Sequence, residues 1–289
     1  MAVEILADGL HFAEGPRWHQ GKLWFSDFYD HAVKTVDLDG VVETKVVIDD
    51  HPSGLGWMPD GRLLIVSMQH RAVLRLEYDT LVVHGDLSRV ATFHCNDMVI
   101  DSVGRAYVGN FGFDLDAAVT SGNFAAALAA YEGAALARVD PTGMVHTVAT
   151  GLKFPNGMVI TPDDGTMIVA ETLGRRLTAF DIGIDGSLTN ERLWASLGAA
   201  APDGICLDGD GAVWVADASG PRCVRVLEGG EVTHTIDTSQ PCFACMLGGP
   251  DGRTLFMLTA ESSLPAIAAT RRTGRIEITT VEVAHSGRP

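Results

Sequence analysis

The stretch Phe154-Pro155-Asn156-Gly157-Met158-Val159-Ile160-Thr161-Pro162-Asp163-Asp164-Gly165-Thr166-Met167-Ile168-Val169-Ala170 decides the fold. It reads as a short apolar strand, a tight Asp-Gly turn and a second short strand, because Asp and Gly tolerate the positive φ that hairpin turns demand. The unit recurs along the chain. Its turn glycines are Gly21, Gly61, Gly104, Gly165, Gly211 and Gly252, at intervals of 40, 43, 61, 46 and 41 residues. A strand-like run follows each, such as Lys22-Leu23-Trp24-Phe25-Ser26 or Ala212-Val213-Trp214-Val215-Ala216, and a third follows in most copies, as in Ala32–Leu38 and Val224–Leu227. Short strands repeating at about 40–50 residues predict a β-propeller, one four-stranded blade per repeat. Six repeats predict an all-β fold, a six-bladed β-propeller spanning residues 1–289 as a single domain. Val3–Leu6 and Ile276–Val283 both read as strands, and pairing them in one blade would close the ring and remove its open edge.

Seven to nine residues before each of the first five glycines stand Glu14, Ser53, Asn96, Asn156 and Asp203, and four of the five are followed by glycine. Equivalent positions in equivalent blades face one common axis, so these polar side chains converge on the central channel. Glu14, Asn156 and Asp203 offer hard oxygen donors, which suit Ca²⁺, Mg²⁺ or Mn²⁺, whereas zinc prefers nitrogen and sulfur. Two carboxylates in a narrow channel repel each other and raise a pKa unless a cation lies between them. A second reading stays open here: the same side chains could plug the channel, bonding backbone amides and water. Asn-Gly and Asp-Gly are also ordinary turn dipeptides.

The bulk chemistry narrows the partners. With 21 Lys plus Arg against 37 Asp plus Glu, the chain carries a net charge of −16, which repels phosphate backbones and anionic lipid. Nucleic acid and membrane are therefore not expected as partners; a small-molecule substrate is. At 46% hydrophobic residues the chain can bury a sizeable core. No basic segment precedes an apolar one at Met1-Ala2-Val3-Glu4, and no apolar run approaches ~20 residues, so a cytoplasmic protein is expected. The five cysteines, an odd number, fit a reducing compartment. Cys242-Phe243-Ala244-Cys245 spells C-x-x-C, but no second pair or His cluster completes a zinc set. On a strand, positions three apart point to opposite faces. The expected reading is small buried apolar residues.

The third interval holds roughly 15–20 residues more than its neighbours, and the excess falls in Asn110–Tyr131. The segment carries Phe111, Phe113 and Phe124 and an Ala-rich helical stretch from Ala125. Insertions between blade strands lie over one face of the ring, so a short helical lid over the channel mouth is expected at about 110–131.

The stretches Ala13-Glu14-Gly15-Pro16-Arg17-Trp18, Asn96-Asp97, Phe154-Pro155-Asn156-Gly157-Met158 and Pro202-Asp203-Gly204-Ile205, with the blade glycines between them, resemble the SMP-30/gluconolactonase/LRE-like family. The resemblance runs through nearly all of the chain. It implies a six-bladed propeller holding one divalent metal, often Ca²⁺, with Mg²⁺, Mn²⁺ or Zn²⁺ as other candidates, and a lactone-hydrolysing activity. Carried over residue by residue, it implies Glu14, Asn156 and Asp203 as metal ligands, Asp203 also as the catalytic residue, and Asn96 as a metal or substrate contact. One position departs. Sugar-lactonase members carry an Arg two places before that Asn, where this chain has His94, which cannot present the planar five-donor fork of Arg. His94 is expected to donate to substrate or to serve as pocket wall, and an aldonolactone substrate is put in doubt. Ser53 fits the ring register with no role to inherit, and is read as standing behind the ligands or beside a water.

The implied mechanism is metal-assisted ester hydrolysis, the cation polarising the lactone carbonyl and Asp203 orienting or deprotonating the attacking water. Asn96 would hold the ring oxygen or the carbonyl. No Gly-x-Ser-x-Gly elbow occurs, so a serine-hydrolase route lacks its nucleophile. Three alternatives accompany this reading: a calcium-dependent phosphotriesterase of the diisopropylfluorophosphatase type, a metal-dependent lyase or isomerase on the same site, and a non-catalytic propeller that binds a protein on its flat face.

Overall fold

A computed structural model of the chain describes residues 2–287, so positions 1, 288 and 289 of the expected 1–289 domain lie outside the described residues. The strands form six antiparallel four-stranded sheets, the blades of a propeller. Their innermost strands are Ala13–His19, Pro52–Trp57, Cys95–Ile100, Pro155–Ile160, Pro202–Leu207 and Cys242–Gly248. These pack against one another in order around the channel, and the last meets the first. The ring closes as the sequence predicts. Glu4–Leu10 pairs antiparallel with Gly274–Thr280, Glu4 opposite Ile278, so both ends of the chain complete blade six.

Burial explains the sequence pattern. Inner and second strands are covered on both faces by adjacent blades, so Leu63–Ser67 is buried throughout and reads as a continuous apolar run. Outer strands such as Val145–Leu152 are largely half-buried or exposed and carry polar residues. The core lies between blades, as where Val159 and Ile168 of blade four meet Ile205 and Val213 of blade five. Each such side chain contributes about 1.5–3 kcal/mol on burial. No helix among the described residues is long and apolar enough to cross a membrane.

The glycines that follow the ring residues have a different origin from the turn glycines. Gly211 sits at φ +81° in its hairpin, as a turn demands. Gly54, Gly157 and Gly204 instead lie within inner strands, pressed on the next blade's backbone. A Cβ on Gly157 would stand 2.5 Å from the Asp203 carbonyl oxygen and 2.6 Å from the Ile205 nitrogen. The Asn-Gly and Asp-Gly pairs of the ring are therefore close-approach positions, not turns.

The C-x-x-C segment corrects one expectation. Cys242 and Cys245 do not diverge to opposite faces, because the strand register shifts between Cys242 and Ala244. Both thiols interact with Cys223, and the Cys245 and Cys206 sulfurs lie 3.9 Å apart. All five cysteines are free and buried, in keeping with the structural reading. No group of three or more His, Cys, Asp or Glu among the described residues is arranged to hold a metal ion.

Candidate active-site pocket and metal centre

In each of the five polar repeats the inner strand slips register at the ring residue: between Glu14 and Arg17, Pro52 and Leu55, Cys95 and Met98, Pro155 and Met158, and Pro202 and Ile205. A bulge adds a residue to one strand and re-aims a side chain. Here Glu14, Asn96, Asn156 and Asp203 all face one cavity of about 240 Å³. Ser53 does not line it. That residue is wholly buried behind Asn96, its hydroxyl donating to Asn96 Oδ1 at 3.1 Å. The sixth seat, after Cys242, belongs to Phe243, whose ring packs 4.9 Å from Phe12.

A chain of hydrogen bonds fixes how the amides point. The Pro202 carbonyl can only accept, and it takes the Thr172 hydroxyl proton at 2.7 Å. Thr172 Oγ1 must then accept from Asn156 Nδ2, at 3.1 Å. That turns Asn156 Oδ1 away from Thr172, where it accepts from Asn96 Nδ2 at 2.7 Å. Asn96 Oδ1 is left to accept from Ser53. The Asn156 side chain also bonds Asp203. Thr172, in the turn after Thr166–Glu171, thus sets the amide orientation of Asn156 in its own blade and of Asn96 in the neighbouring one. Nothing in the sequence marks it, since its role exists only once blades four and five are packed together.

The floor is rich in acid. Burial, then the negative charges of Asp203 and Asp97, raise the Glu14 carboxyl well above its ordinary range. Burial and Asp97 raise Asp203 likewise, with the Asn156 bond opposing. Asp97 is raised by burial against the pull of Arg17, and its Oδ1 is buried without a hydrogen-bond partner among the described residues. Three buried carboxyls therefore repel one another at the floor of the cavity, and the one guanidinium beside them, Arg17, interacts with Asp97 and Glu14. An arrangement with oxygen donors, surplus negative charge and no nitrogen or sulfur ligand fits a hard divalent cation.

Above the floor the walls are built by neighbouring blades and by two insertions. The expected lid forms helices α1 (Leu115–Thr120) and α2 (Phe124–Ala130). Phe111, Leu115 and Asp116 reach the cavity. Phe113 and Phe124 do not: Phe113 packs on Tyr131 at 4.8 Å, and Phe124 is half-buried at the start of α2. A second insertion joins Thr254–Thr259 to Gly274–Thr280 and holds α3 (Pro265–Ala268). It brings Ser263 and Pro265 to the cavity from the blade opposite the lid. Sequence reading missed it because no later turn glycine measures that interval; residues 260–273 fill a connection that blade one makes with 28–31. His94 lines the cavity, half-buried and stacked on Phe93 at 4.0 Å. Burial lowers its pKa, so the neutral imidazole prevails at neutral pH.

The comparisons with known proteins agree with this fold. The pentonolactonase XacC of Haloferax volcanii is 28% identical over 274 residues, covering 89% of this chain and 84% of that protein. Among solved structures, a luciferin-regenerating enzyme superposes with a TM-score of 0.82 at 18% identity, covering 98% of this chain and 97% of that one. A calcium-binding regucalcin from Agrobacterium tumefaciens gives 0.80 at 19% identity, covering 100% and 96%. At such identities the structures speak to the fold. The family model described as the SMP-30/gluconolactonase/LRE-like region matches residues 12–261, and with every ring residue inside that span the chain belongs to the SMP-30/gluconolactonase/LRE-like family.

Proposed function

We propose that the protein is a metal-dependent lactonase that opens a cyclic ester by water attack at the floor of the pocket. The observation that carries this reading is the cluster of Glu14, Asp97 and Asp203 against Arg17 beneath an open cavity. Glu14, Asn156 and Asp203 would hold one divalent cation, with Asn96 as a ligand or beside it. All-oxygen donors put Ca²⁺ ahead of Mg²⁺ and Mn²⁺, and Zn²⁺ last. A relative named for pentonolactones and a structural neighbour described as calcium-binding support the reading. Bound there, the cation would polarise the ester carbonyl and stabilise the charge that develops on its oxygen. With a cation holding it ionised, Asp203 would take the proton of the attacking water and return it to the ring oxygen as the ester C–O bond breaks. Asn96 Nδ2 donates one N–H to Asn156 Oδ1 and would have its second for the ester, and neutral His94 offers a further donor or acceptor on the wall. The decisive assay is lactone turnover after chelation and metal add-back, with a fluorophosphate as the competing substrate. Faster fluorophosphate turnover would favour the phosphotriesterase reading.

Two predictions bear on the metal without relying on activity. Glu14 and Asp203 have folded-state pKa values raised above their unfolded values of about 4. A raised acid holds its proton more tightly when folded, so the metal-free protein loses stability as pH climbs from about 4 through the raised values. A cation at the site replaces those protons. Saturating Ca²⁺ should therefore raise Tm more at pH 8 than at pH 5; equal gains would place the cation elsewhere.

Thr172→Val removes the hydroxyl that orients the Asn156 amide while keeping its shape. Metal affinity measured by calorimetry should fall about 10–100-fold, the usual cost of losing a group that orients a ligand. Thr172→Ser should keep most of it. An unchanged affinity in Thr172→Val would remove Asn156 Oδ1 from the ligand set.

A further inference from the structure

We infer that the pocket selects lactones bearing an apolar substituent, alkyl or aryl, over polyhydroxylated sugar lactones; the inference rests on the lactonase reading above. The cavity is layered. Its floor is the polar set of Glu14, Asn96, Asn156 and Asp203. Directly around it runs an apolar belt of Phe12, Phe28, Met68 and Phe154, which are 4%, 7%, 3% and 5% exposed. Phe111 continues the belt, edge-on to Phe154 at 4.5 Å, and Leu115 of α1 caps it. The other polar lining groups are more exposed than these four buried residues. Two already have partners: Tyr29 Oη donates to the Ser263 carbonyl at 3.2 Å, and Gln69 Nε2 lies 3.3 Å from His51 Nδ1.

An ester carbonyl seated on the floor leaves the rest of its ring within the belt, since a five- or six-membered ring is no deeper than that layer of side chains. The hydroxyls of a sugar lactone hang one or two bonds from the ring. They would lose water against phenyl edges and a thioether without gaining partners, and burying an unpartnered hydroxyl is unfavourable. A hydrocarbon substituent meets the same wall by leaving water, which is favourable. His94 and the Asp116 carboxylate of the lid are the wall groups left to answer hydroxyls, fewer than glucono-δ-lactone presents. The rim polar groups remain for a polar end on a longer substituent.

The test compares kcat/KM for ring-matched δ-lactones in metal-replete protein. One carries an alkyl chain on the carbon next to the ring oxygen, and the other is glucono-δ-lactone. Each rate is divided by that lactone's own hydroxide-catalysed rate. The alkyl lactone should be ahead by about tenfold or more, in line with what single groups are worth in an apolar pocket. Leu115→Asn, on a half-buried lid position, should narrow that ratio while circular dichroism and the Ca²⁺-induced Tm gain stay unchanged. Equal or faster glucono-δ-lactone turnover overturns the inference and leaves the lactonase reading standing. Failure to turn over either lactone overturns both. A ratio unmoved by Leu115→Asn removes the lid from the selecting wall.

Discussion

Asp203→Asn is expected to lower lactone turnover by about 10²–10⁴, the usual size of a lost general base. The substitution keeps an oxygen donor and the side-chain shape, and removes the negative charge and the basicity. Asp203 sits on the second residue of Pro202–Leu207, where the register slips and the carboxyl faces the cavity. Its surroundings favour the protonated acid, so a neutral amide should be tolerated structurally and the fold should survive. The cation should still bind, at a raised concentration, because Glu14 and Asn156 remain. Asn156→Ala provides the contrast. It removes a neutral donor and the bond to Asp203, so its defect should be recovered in part by added metal. The measurement is turnover against metal concentration for both variants. If Asp203→Asn regains near-normal turnover at saturating metal, Asp203 is a ligand alone and the base lies elsewhere.

Much of this site is legible in the sequence because the fold is a repeat. Turn glycines at a regular interval set the blade register, and the register points Glu14, Ser53, Asn96, Asn156 and Asp203 at one axis; four of the five share a cavity there. The pattern is less informative where function departs from the repeat. Phe243 fills the sixth seat and carries no polar signal. Ser53 shares the register yet stands behind Asn96, because its hydroxyl is taken by the neighbouring amide. The lid aromatics could not be ranked from sequence. A phenyl on an irregular, half-buried connection points according to local packing, so Phe111 reaches the cavity and Phe113 turns to Tyr131. Thr172 escapes any pattern, since its hydroxyl matters only through the carbonyl of the next blade. C-x-x-C misleads in the opposite direction, because one bulge cancels the alternation on which the strand argument depends.

Gly157→Ala should show that the glycine after a ring residue is part of the site's geometry. Its Cβ would stand 2.5 Å from the Asp203 oxygen, 2.6 Å from the Ile205 nitrogen and 2.8 Å from Gly204 Cα. All three are backbone atoms, so no rotamer change relieves the overlap, and the two inner strands must separate. Forced overpacking of this kind costs about 1–3 kcal/mol, read as a lower urea midpoint. The separation also moves Asp203 relative to Asn156, which sit on the two strands being pushed apart. Displacing a reacting group by about 1 Å can cost on the order of 10²-fold in rate, so turnover per folded molecule should fall by about that factor, with weaker metal binding. Gly211→Ala is the control. It lies in a hairpin turn at φ +81° with nothing within 4 Å of the added carbon. Left-handed strain of about 1–2 kcal/mol should lower its stability by a similar amount and leave turnover per folded molecule unchanged. A Gly157→Ala protein as destabilised as the control, yet fully active per folded molecule, would mean that the ring tolerates strand separation and that the Asn156 to Asp203 spacing does not limit the reaction.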